Sequence, residues 1–358
     1  MMDTVRQSQS SGKVGILLSN LGTPDGPETG PVRRYLGQFL MDPAVVDIPW
    51  LARWLLVHGI ILRTRPRKSA EAYRKIWTER GSPLLFHTLD LADRVRERLD
   101  ANHVVAVGMR YGNPSIESAV DELLGAGVER IVFLPLYPQY SLAATYSSIE
   151  EFKRVLRSKS VRLPVSILED FWNDEGFLDA FVEQGRSVLE AHAPDHVLFS
   201  FHGIPERHVQ KVDATGGSHC LKSSSCCEQM VKANARCYRA QSYQTAYRLA
   251  RKLGLPKEKF TVSFQSRLGR TPWIRPYTDI VLDELAAKGV RRLAVYSPSF
   301  VADCLETVEE IEMRGREQFL EKGGESLWLI PSLNSSPKWA EAVVRLVTQA
   351  GAQSSIGV

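Results

Sequence analysis

The residues best suited to chemistry are a histidine and three carboxylates in the second half of the chain. His202 lies in LFSFHGIP, where an apolar run ends just before a glycine and a proline. Asp303, Glu306 and Glu310 lie in SFVADCLETVEEIEMRG, which follows another apolar run. An imidazole can accept a proton near neutral pH, and carboxylates beside it suit a divalent metal. The alternatives are a polar strand cap for the histidine and a solvated helix face for the carboxylates.

Arginines and aromatic residues follow other apolar runs. Arg110 and Tyr111 follow one run, Tyr137 follows the next, and Trp273 lies in the second half. Aromatic rings stack on flat ligands, and guanidinium groups pair with carboxylates. Each residue taken singly also fits ordinary packing, but their joint placement favours a large, flat, anionic ligand.

Four of the five cysteines form a cluster in the sequence. Cys220, Cys226, Cys227 and Cys237 lie within eighteen residues, and Cys304 stands apart. Four thiolates in one loop could hold zinc or an iron–sulfur cluster, and the adjacent pair Cys226 and Cys227 favours a two-metal centre over a single ion. The alternative is a surface loop that tolerates cysteines. No CxxC pair is present, so the spacing fits no common zinc finger.

Composition and charge narrow the class of protein. The chain has 358 residues, of which 44% are hydrophobic and 24% charged, as in globular proteins. A net charge of +4 on 45 basic and 41 acidic residues predicts no nucleic-acid partner. The N-terminal residues are polar and no apolar run is long enough to cross a bilayer, so we expect a cytoplasmic protein.

Three pairs of segments indicate an internal duplication. LLSNLGTP from Leu17 is echoed by LFSFHGIP, GMRYG from Gly108 by QSRLG, and DELLGAGVERIVFLPLYPQYS from Asp121 by DELAAKGVRRLAVYSPSFVAD. His202 replaces Leu21 in the second copy, and Asp303 and Glu306 replace Ser141 and Ala144. The pattern predicts an α/β fold of two Rossmann-like, pseudo-duplicated lobes with parallel sheets. Neither half has a GxGxxG motif or a P-loop, so no nucleotide is predicted.

Apolar runs and helical patterns alternate along the chain, as in βαβ units. The strand predictions are Val14–Asn20, Val104–Met109, Arg130–Leu136, His196–Phe201, Phe260–Gln265, Arg291–Ser297 and Ser326–Ile330. The helix predictions are Leu85–Leu99, Ile116–Leu124, Ile149–Arg157, Asp174–Ala191, Gln244–Leu253, Thr278–Ala287, Cys304–Leu320 and Pro337–Thr348. Val301, just before the last-but-one helix, and Leu305 and Val308 within it are expected to pack on the sheet, leaving Glu306 and Glu310 on the other side.

The duplication also predicts the division of the chain. We expect one unit over residues 12–349, with an N-terminal lobe at 12–160 and a C-terminal lobe at 161–349. Two segments interrupt the repeat: an apolar stretch at 48–68, called the lip below, and a cysteine-rich insertion at 212–238. The lip contains Trp50 and Trp54 and ends in Arg63, Arg65, Arg67 and Lys68.

The segments LLSNLGTPDGP, GMRYGNPS, YPQYS, SFHGIPERH, SFQSRLGRTPW and DCLETVEEI closely resemble ferrochelatase, which inserts ferrous iron into a porphyrin during haem synthesis. The resemblance implies two lobes around a porphyrin cleft, with ferrous iron as substrate. It implies that His202 and Glu306 handle the metal and the pyrrole protons, supported by Asp303. It further implies that the porphyrin is contacted by Leu21, Arg110, Tyr111, Tyr137, Trp273 and Phe300. Arg63 or Arg65 is implied to hold the propionates.

The resemblance also bears on iron entry and on the cysteines. Glu310 is implied to relay the metal to Glu306. Family members often carry a further acidic residue one helical turn later, where this chain has Arg314, so Glu309 or Glu312 is expected to take that place. Some bacterial members carry an internal [2Fe–2S] cluster, which Cys220, Cys226, Cys227 and Cys237 resemble. The animal arrangement is absent, since Leu142 stands at its cysteine position and no cysteine-bearing tail follows.

The favoured substrate is protoporphyrin IX, and three alternatives stay open. They are a coproporphyrin III ferrochelatase, a cobalt chelatase of an earlier tetrapyrrole, and a non-enzymatic porphyrin or iron–sulfur sensing protein. The expected partners are porphyrin and ferrous iron, with peripheral contact of the lip to the inner membrane face. We expect a monomer or a homodimer.

Overall fold

The computed structural model describes residues 12–267, 269 and 271–352, which form two four-stranded parallel sheets. The first sheet contains β1 (Val14–Gly22), β2 (His103–Tyr111), β3 (Arg130–Pro135) and β4 (Val165–Ile167), in the order β2-β1-β3-β4. The second contains β5 (His196–His202), β6 (Phe260–Gln265), β7 (Arg292–Tyr296) and β8 (Ser326–Leu329), in the order β6-β5-β7-β8. The two orders are the same, so the predicted α/β fold of two duplicated parallel sheets is confirmed.

Helices connect and cover these strands. In chain order they are α1 (Thr29–Met41), α2 (Trp50–Trp54), α3 (Leu62–Ile76), α4 (Pro83–Arg96), α5 (Ile116–Gly125), α6 (Ser147–Ser158), α7 (Glu175–His192), α8 (Glu206–Lys211), α9 (Tyr238–Lys252), α10 (Thr278–Ala287), α11 (Arg316–Glu321) and α12 (Pro337–Ala352). π-Helical segments span Leu55–Ile61, Leu142–Tyr146 and Leu305–Gly315. The first of them joins α2 to α3 in one continuous helix.

The strands form because their apolar runs are buried on both faces, as a parallel sheet requires. In β1, Ile16 and Leu18 face a core that both sheets share, and Leu17 faces the opposite side. In β5, Val197 and Phe199 face the same shared core, whereas Leu198 faces outward onto α10 and α11. The shared core also includes side chains of α7, α9 and α12, so the two sheets are packed into one body.

The first sheet extends beyond the boundary predicted at residue 160. The strand β4 lies after that residue, yet Ile131 of β3 pairs with Val165. The strand is three residues long and only Val165 is buried, so it has no periodicity that sequence reasoning could detect. The C-terminal helix α12 crosses back and packs against α4 and β3 of the first lobe.

The predicted helix Cys304–Leu320 differs from the structure in type and in packing. Residues Leu305–Gly315 form a π-helix, and the α-helix α11 begins only at Arg316. Val301 packs in the shared core as expected, but Leu305 and Val308 contact a cluster formed by α1 and α3 of the first lobe. The wider π-helical turn changes which side chains share a face, and the long helix at 50–76, absent from the prediction, supplies the surface they contact.

Candidate functional site

His202 lies at the end of β5, the position that Leu21 occupies in β1. Both strands are internal, and the chain runs from them to one neighbouring strand on one side and to the next strand on the other side. Open α/β sheets bind ligands at such points, where the direction of strand connection reverses. The backbone N–H of His202 donates to Ser299 Oγ over 3.0 Å, and the ring Nδ1 lies 2.5 Å from the carbonyl oxygen of Gly203. Because a carbonyl can only accept, Nδ1 carries a proton, which leaves Nε2 of the neutral ring as a base or ligand.

A buried glutamine brings His202 and Glu306 to the same sheet edge. Gln265 is the β6 partner of His202 in the sheet register, and only 3% of it is exposed. Its Nε2 donates to the carbonyl oxygen of Glu306 over 2.7 Å, and its Oε1 accepts from Ser200 Oγ at 2.8 Å. Both ends of the amide are therefore fixed, and the start of the π-helix is tied to the strand beside the histidine.

Glu306 lies close to two tyrosines of the first lobe. Burial raises the pKa of the Tyr73 phenol, and the negative charge of Glu306 raises it further. Burial also raises the pKa of Tyr35, with smaller contributions in the same direction from Tyr73 and Glu306. Both belong to the cluster of buried residues that we call the inter-lobe cluster: Val32, Tyr35, Leu36, Leu40, Val57, Leu62, Ala70, Tyr73, Ile76 and Tyr111. Leu21 and Leu305 pack at its margin, so Glu306 faces the first lobe across an aromatic surface.

Asp303 is held by the loop that follows β8. Its Oδ1 accepts from Ser332 N at 3.1 Å and from Thr307 Oγ1 at 3.0 Å, and its Oδ2 accepts from Asn334 Nδ2 at 2.8 Å. These bonds fix the segment just before the π-helix, which begins at Leu305. His87 of α4 lies near this carboxylate: burial lowers its pKa, the charge of Asp303 opposes that effect, and its buried Nδ1 has no hydrogen-bond partner within the described chain.

Glu310 points back to the end of β6. Its carboxylate accepts from Ser266 N at 2.9 Å and Ser266 Oγ at 2.5 Å, with Gln265 Nε2 at 3.4 Å. Ser266 has φ of 66°, a left-handed conformation that a serine adopts only under strain. The carboxylate expected to relay metal is thus clamped by a strained residue.

The other acidic residues of the π-helix are paired with cations. Glu309 is buried and accepts from Lys75 Nζ at 3.2 Å and Arg314 Nε at 2.8 Å, and Glu312 lies 3.5 Å from Arg316. Arg314, at the position where an acidic line would continue, thus neutralises Glu309. The bond from Lys75 joins α3 to the π-helix, and therefore one lobe to the other.

Arg110 and Tyr111, expected to contact substrate, belong to a polar network at the end of β2. Arg110 donates to Asp42 Oδ2 over 2.5 Å and to Ser147 Oγ over 2.6 Å, and the Tyr111 hydroxyl donates to Asp42 Oδ2 over 2.8 Å. Tyr111 is only 2% exposed. Asp42 thus anchors α1, β2 and α6 to one another, and much of Arg110 is committed to that anchor.

The remaining expected contacts differ in exposure. Tyr137 is buried, with its hydroxyl 3.2 Å from Ser148 Oγ, and the Phe300 ring is 6.1 Å from that of His202. Trp273 is half-buried and bridges to Pro205 beside His202. Arg63 and Arg65 are exposed on α3. Nearby protein atoms nevertheless desolvate Arg65 and lower its pKa. A side chain that is exposed and yet partly desolvated is typical of the wall of an open cleft.

The lip presents large apolar side chains to solvent along α2 and the following π-helix. Trp50 is 62% exposed, Leu51 61% and Ile60 60%, and Trp54 and Leu55 are exposed beside them. Such a contiguous group is typical of a binding or membrane-contact surface. Over the described residues, no helix is both long and apolar enough to span a bilayer.

The four clustered cysteines are buried together between α8 and α9. Cys226 Sγ lies 3.7 Å from Cys227 Sγ, and Arg239 Nη1 donates to Cys227 Sγ over 3.0 Å. Contact with Cys220 raises the pKa of Cys237 to about 12, and contact with Cys237 raises that of Cys227. The sulfur atoms thus form a chain of contacts, and nowhere in the described part of the protein do three His, Cys, Asp or Glu side chains converge as they would around a metal ion.

The inter-lobe cluster contains the tyrosines that sequence reasoning missed. Tyr35 and Tyr73 lie on α1 and α3, neither of which was predicted. The signal was present, since buried residues recur at helical spacing in each: Val32, Tyr35, Leu36 and Leu40, and Ala70, Tyr73 and Ile76. Long charged side chains between them obscured that period.

The Asp42 network predicts a large difference between two aspartates. Asp42→Asn should lower the free energy of unfolding by about 3 kcal/mol, because it leaves the guanidinium of Arg110 half-buried without its counter-ion. Asp25→Asn, which removes an exposed carboxylate 3.7 Å from Arg34, should cost less than about 0.5 kcal/mol. Urea denaturation measures both, and equal losses would contradict the role given to Asp42.

Comparison with known proteins identifies the family of the chain. The family model described as ferrochelatase matches residues 13–351. The ferrochelatases of Pseudomonas fluorescens and Azotobacter vinelandii are each 49% identical over 94% of this chain, covering 97% and 98% of those proteins. The ferrochelatase of Coxiella burnetii is 45% identical, covering 94% of each chain.

A solved structure supports the fold alone. The sirohydrochlorin chelatase SirB from Bacillus subtilis subspecies spizizenii, in complex with cobalt, matches with a TM-score of 0.53 at 14% identity, covering 94% of this chain and 95% of that one. The family assignment rests on the sequence matches, which span nearly the whole chain. The chain belongs to the ferrochelatase family.

Proposed function

We propose that this chain inserts ferrous iron into protoporphyrin IX to form protohaem, with His202 and Glu306 handling the pyrrole protons and the metal. Membership of the family makes the chain a metal chelatase of haem synthesis. The observation that carries the residue assignment is the Gln265 bridge, which ties Glu306 to the strand beside His202 at a switch point of the second sheet. Asp303 supports the pair by fixing the start of the π-helix.

The chemistry requires two proton acceptors. A metal-free porphyrin carries two pyrrole N–H protons, and both leave when ferrous iron binds the four nitrogens. His202 Nε2 accepts one proton, since its Nδ1 is committed to Gly203, and the Glu306 carboxylate accepts the other; where Glu306 ligates the incoming iron instead, solvent takes up the second proton. Porphyrin and ferrous iron are the two substrates.

The surfaces around this pair suit a flat macrocycle. Phe300 and Trp273 lie near His202, and Tyr35 and Tyr73 lie near Glu306, so rings are available on both sides of the site. Leu21, Tyr137 and the exposed apolar residues of the lip extend this surface, and Arg63, Arg65 and Arg110 supply cations for propionates. Binding energy from such contacts accelerates metallation only where it favours a ring bent so that its nitrogen lone pairs are accessible.

Removing either acceptor should slow metallation. In an anaerobic assay with ferrous iron and protoporphyrin IX, His202→Ala and Glu306→Gln should each lower kcat by about 100-fold or more, the usual contribution of a general base. The matched controls are His103→Ala, at the opposite end of a first-sheet strand, and Glu312→Gln, on the exposed side of the π-helix; both should stay near wild type. Unchanged turnover in His202→Ala would remove the catalytic assignment.

The same assay separates the competing functions. Protoporphyrin and coproporphyrin III differ in their peripheral propionates, and a higher kcat/KM for coproporphyrin would overturn the substrate proposed here. Cobalt insertion into an earlier tetrapyrrole without ferrous activity would identify a cobalt chelatase. Porphyrin binding without turnover would identify a sensing protein.

Glu310 is proposed to relay iron toward Glu306. Because Ser266 also donates two hydrogen bonds to its carboxylate, the free energy of unfolding is measured beside the KM for iron. If Glu310 passes iron inward, Glu310→Gln raises the KM for iron and leaves the free energy of unfolding nearly unchanged, because the amide oxygen still accepts from Ser266 N–H and the amide NH2 can donate to Ser266 Oγ. A loss of stability with an unchanged KM would instead make Glu310 a brace between β6 and the π-helix.

We also propose that Cys220, Cys226, Cys227 and Cys237 hold a [2Fe–2S] cluster. All four cysteines are buried and follow one another in a chain of pairwise sulfur contacts, and four cysteine thiolates are the usual donor set of such a cluster. When bound, the cluster would cross-link the cysteine loop to α9 and provide a redox centre. Arg239 would stabilise the thiolate of Cys227 through its 3.0 Å contact.

The cluster is tested by composition and spectrum. Protein purified without oxygen should contain about two iron and two sulfide ions per chain and absorb visible light. Cys227→Ser should abolish both signals, while Cys304→Ser, which changes the cysteine outside the group, should retain them. Wild-type protein lacking iron and acid-labile sulfide would exclude the cluster.

The lip is proposed to contact the membrane surface peripherally. Its exposed tryptophans and leucines suit the headgroup region, and the basic residues from Arg63 to Lys68 suit anionic lipids. Trp50→Ser with Leu51→Ser should reduce co-sedimentation with anionic vesicles several-fold, and Ile280→Ser, an exposed apolar residue on α10, should not. Equal binding of all three proteins would contradict the proposal. The cytoplasmic location and the monomeric or dimeric state stay predictions.

A further inference from the structure

A cavity of about 350 Å³ lies beside the cysteine group and is separate from the site of His202 and Glu306. Its wall is formed by α8, the cysteine loop, α9 and the segment after Trp273, through residues Glu206, Leu221, Lys222, Ser223, Ser224, Arg239 and Arg275. The volume suits a small molecule, and the cavity is open to solvent. The proposed porphyrin chemistry makes no use of it.

The lining of this cavity is cationic. Lys222, Arg239 and Arg275 face a single carboxylate, that of Glu206, whose charge acts on Arg275. The hydroxyls of Ser223 and Ser224 add hydrogen-bond donors. Three cations and two hydroxyls around an open cavity suit an oxyanion, because one guanidinium group can donate two parallel hydrogen bonds to two oxygens of a carboxylate or phosphate.

Arg239 is held in place before any ligand arrives. Its Nε donates to the carbonyl oxygen of Arg275 over 3.3 Å and its Nη2 to the Tyr243 hydroxyl over 3.4 Å. Its guanidinium carbon lies 4.7 Å from the centre of the Tyr243 ring, and Nη1 contacts Cys227 Sγ. A cation fixed by four interactions loses little conformational freedom on binding, so more of its interaction energy appears as affinity.

We propose that this cavity binds a small oxyanion, borne by a phosphate or a carboxylate, through Lys222, Arg239 and Arg275. The exposed Lys222 and Arg275 close on the ligand from the loop side, and Arg239 forms the fixed wall beside the cysteines. Glu206 opposes binding by its charge and thereby limits the affinity. The site is independent of porphyrin metallation.

Calorimetric titration of the full chain, as purified, with inorganic phosphate and with succinate tests this site. Saturable binding is expected for at least one of them, weakened about tenfold by Lys222→Ala and by Arg275→Ala. Glu206→Gln should bind more tightly than wild type, because it removes the opposing charge. The control is Arg251→Ala, twelve residues along α9 from Arg239 and so about 18 Å away, which should bind as wild type does.

Titrations at matched ionic strength, adjusted with sodium chloride, separate a site from general screening. The anion with the lower dissociation constant shows whether the cavity prefers a phosphate or a carboxylate. Absence of saturable heat with both anions overturns the proposal, as does equal affinity in wild type, Lys222→Ala and Arg275→Ala. Since anion binding is measured directly, its failure is distinguishable from a failure of metallation.

Discussion

The arrangement of the site depends on one buried amide. Gln265 occupies the end of β6, accepts from Ser200 in the adjoining strand and donates to the carbonyl of Glu306. A buried amide with both ends bonded tolerates little displacement, because a lost partner would leave a polar group unsatisfied. The spacing between the strand bearing His202 and the helix bearing Glu306 is therefore set by a hydrogen bond and not only by the loops between them.

The duplication explains why the proposed catalytic residues lie in the second lobe. Both lobes follow the third repeat with a π-helix, at Leu142–Tyr146 and at Leu305–Gly315. In the first lobe the equivalent polar residues serve structure: Ser141 caps its helix, and Ser147 joins the Asp42 anchor. In the second, Asp303 takes the place of Ser141 in the repeat, Cys304 is the N-cap residue of the π-helix, and Glu306 follows where the first lobe has Ala144. The first lobe instead supplies aromatic side chains, so the site needs both copies.

Sequence reasoning predicted the elements whose burial is uniform and missed those whose packing depends on a distant partner. The central strands β1 and β5 are apolar on both faces, which identifies them without a structure. The strand β4 is too short for any period, and the buried residues of α3 are interspersed with many charged ones. The π-helix was not predicted because its residues have ordinary helical propensities, and Leu305 and Val308 within it pack on the other lobe. For the site, motif resemblance predicts His202 and Glu306, whereas the hydrogen bond from Gln265 to Glu306 and those from Ser266 to Glu310 depend on side-chain directions that no sequence spacing reveals.

The tetrapyrrole is proposed to lie between the His202 imidazole at the end of β5 and the Glu306 carboxylate of the neighbouring π-helix. A crystal structure of the chain with protoporphyrin IX bound tests it most directly. We predict that the pyrrole nitrogens lie within reach of His202 Nε2 and of the Glu306 carboxylate, with Tyr35 and Tyr73 on the side of Glu306. A macrocycle bound away from both side chains, or touching only one of them, would contradict the account.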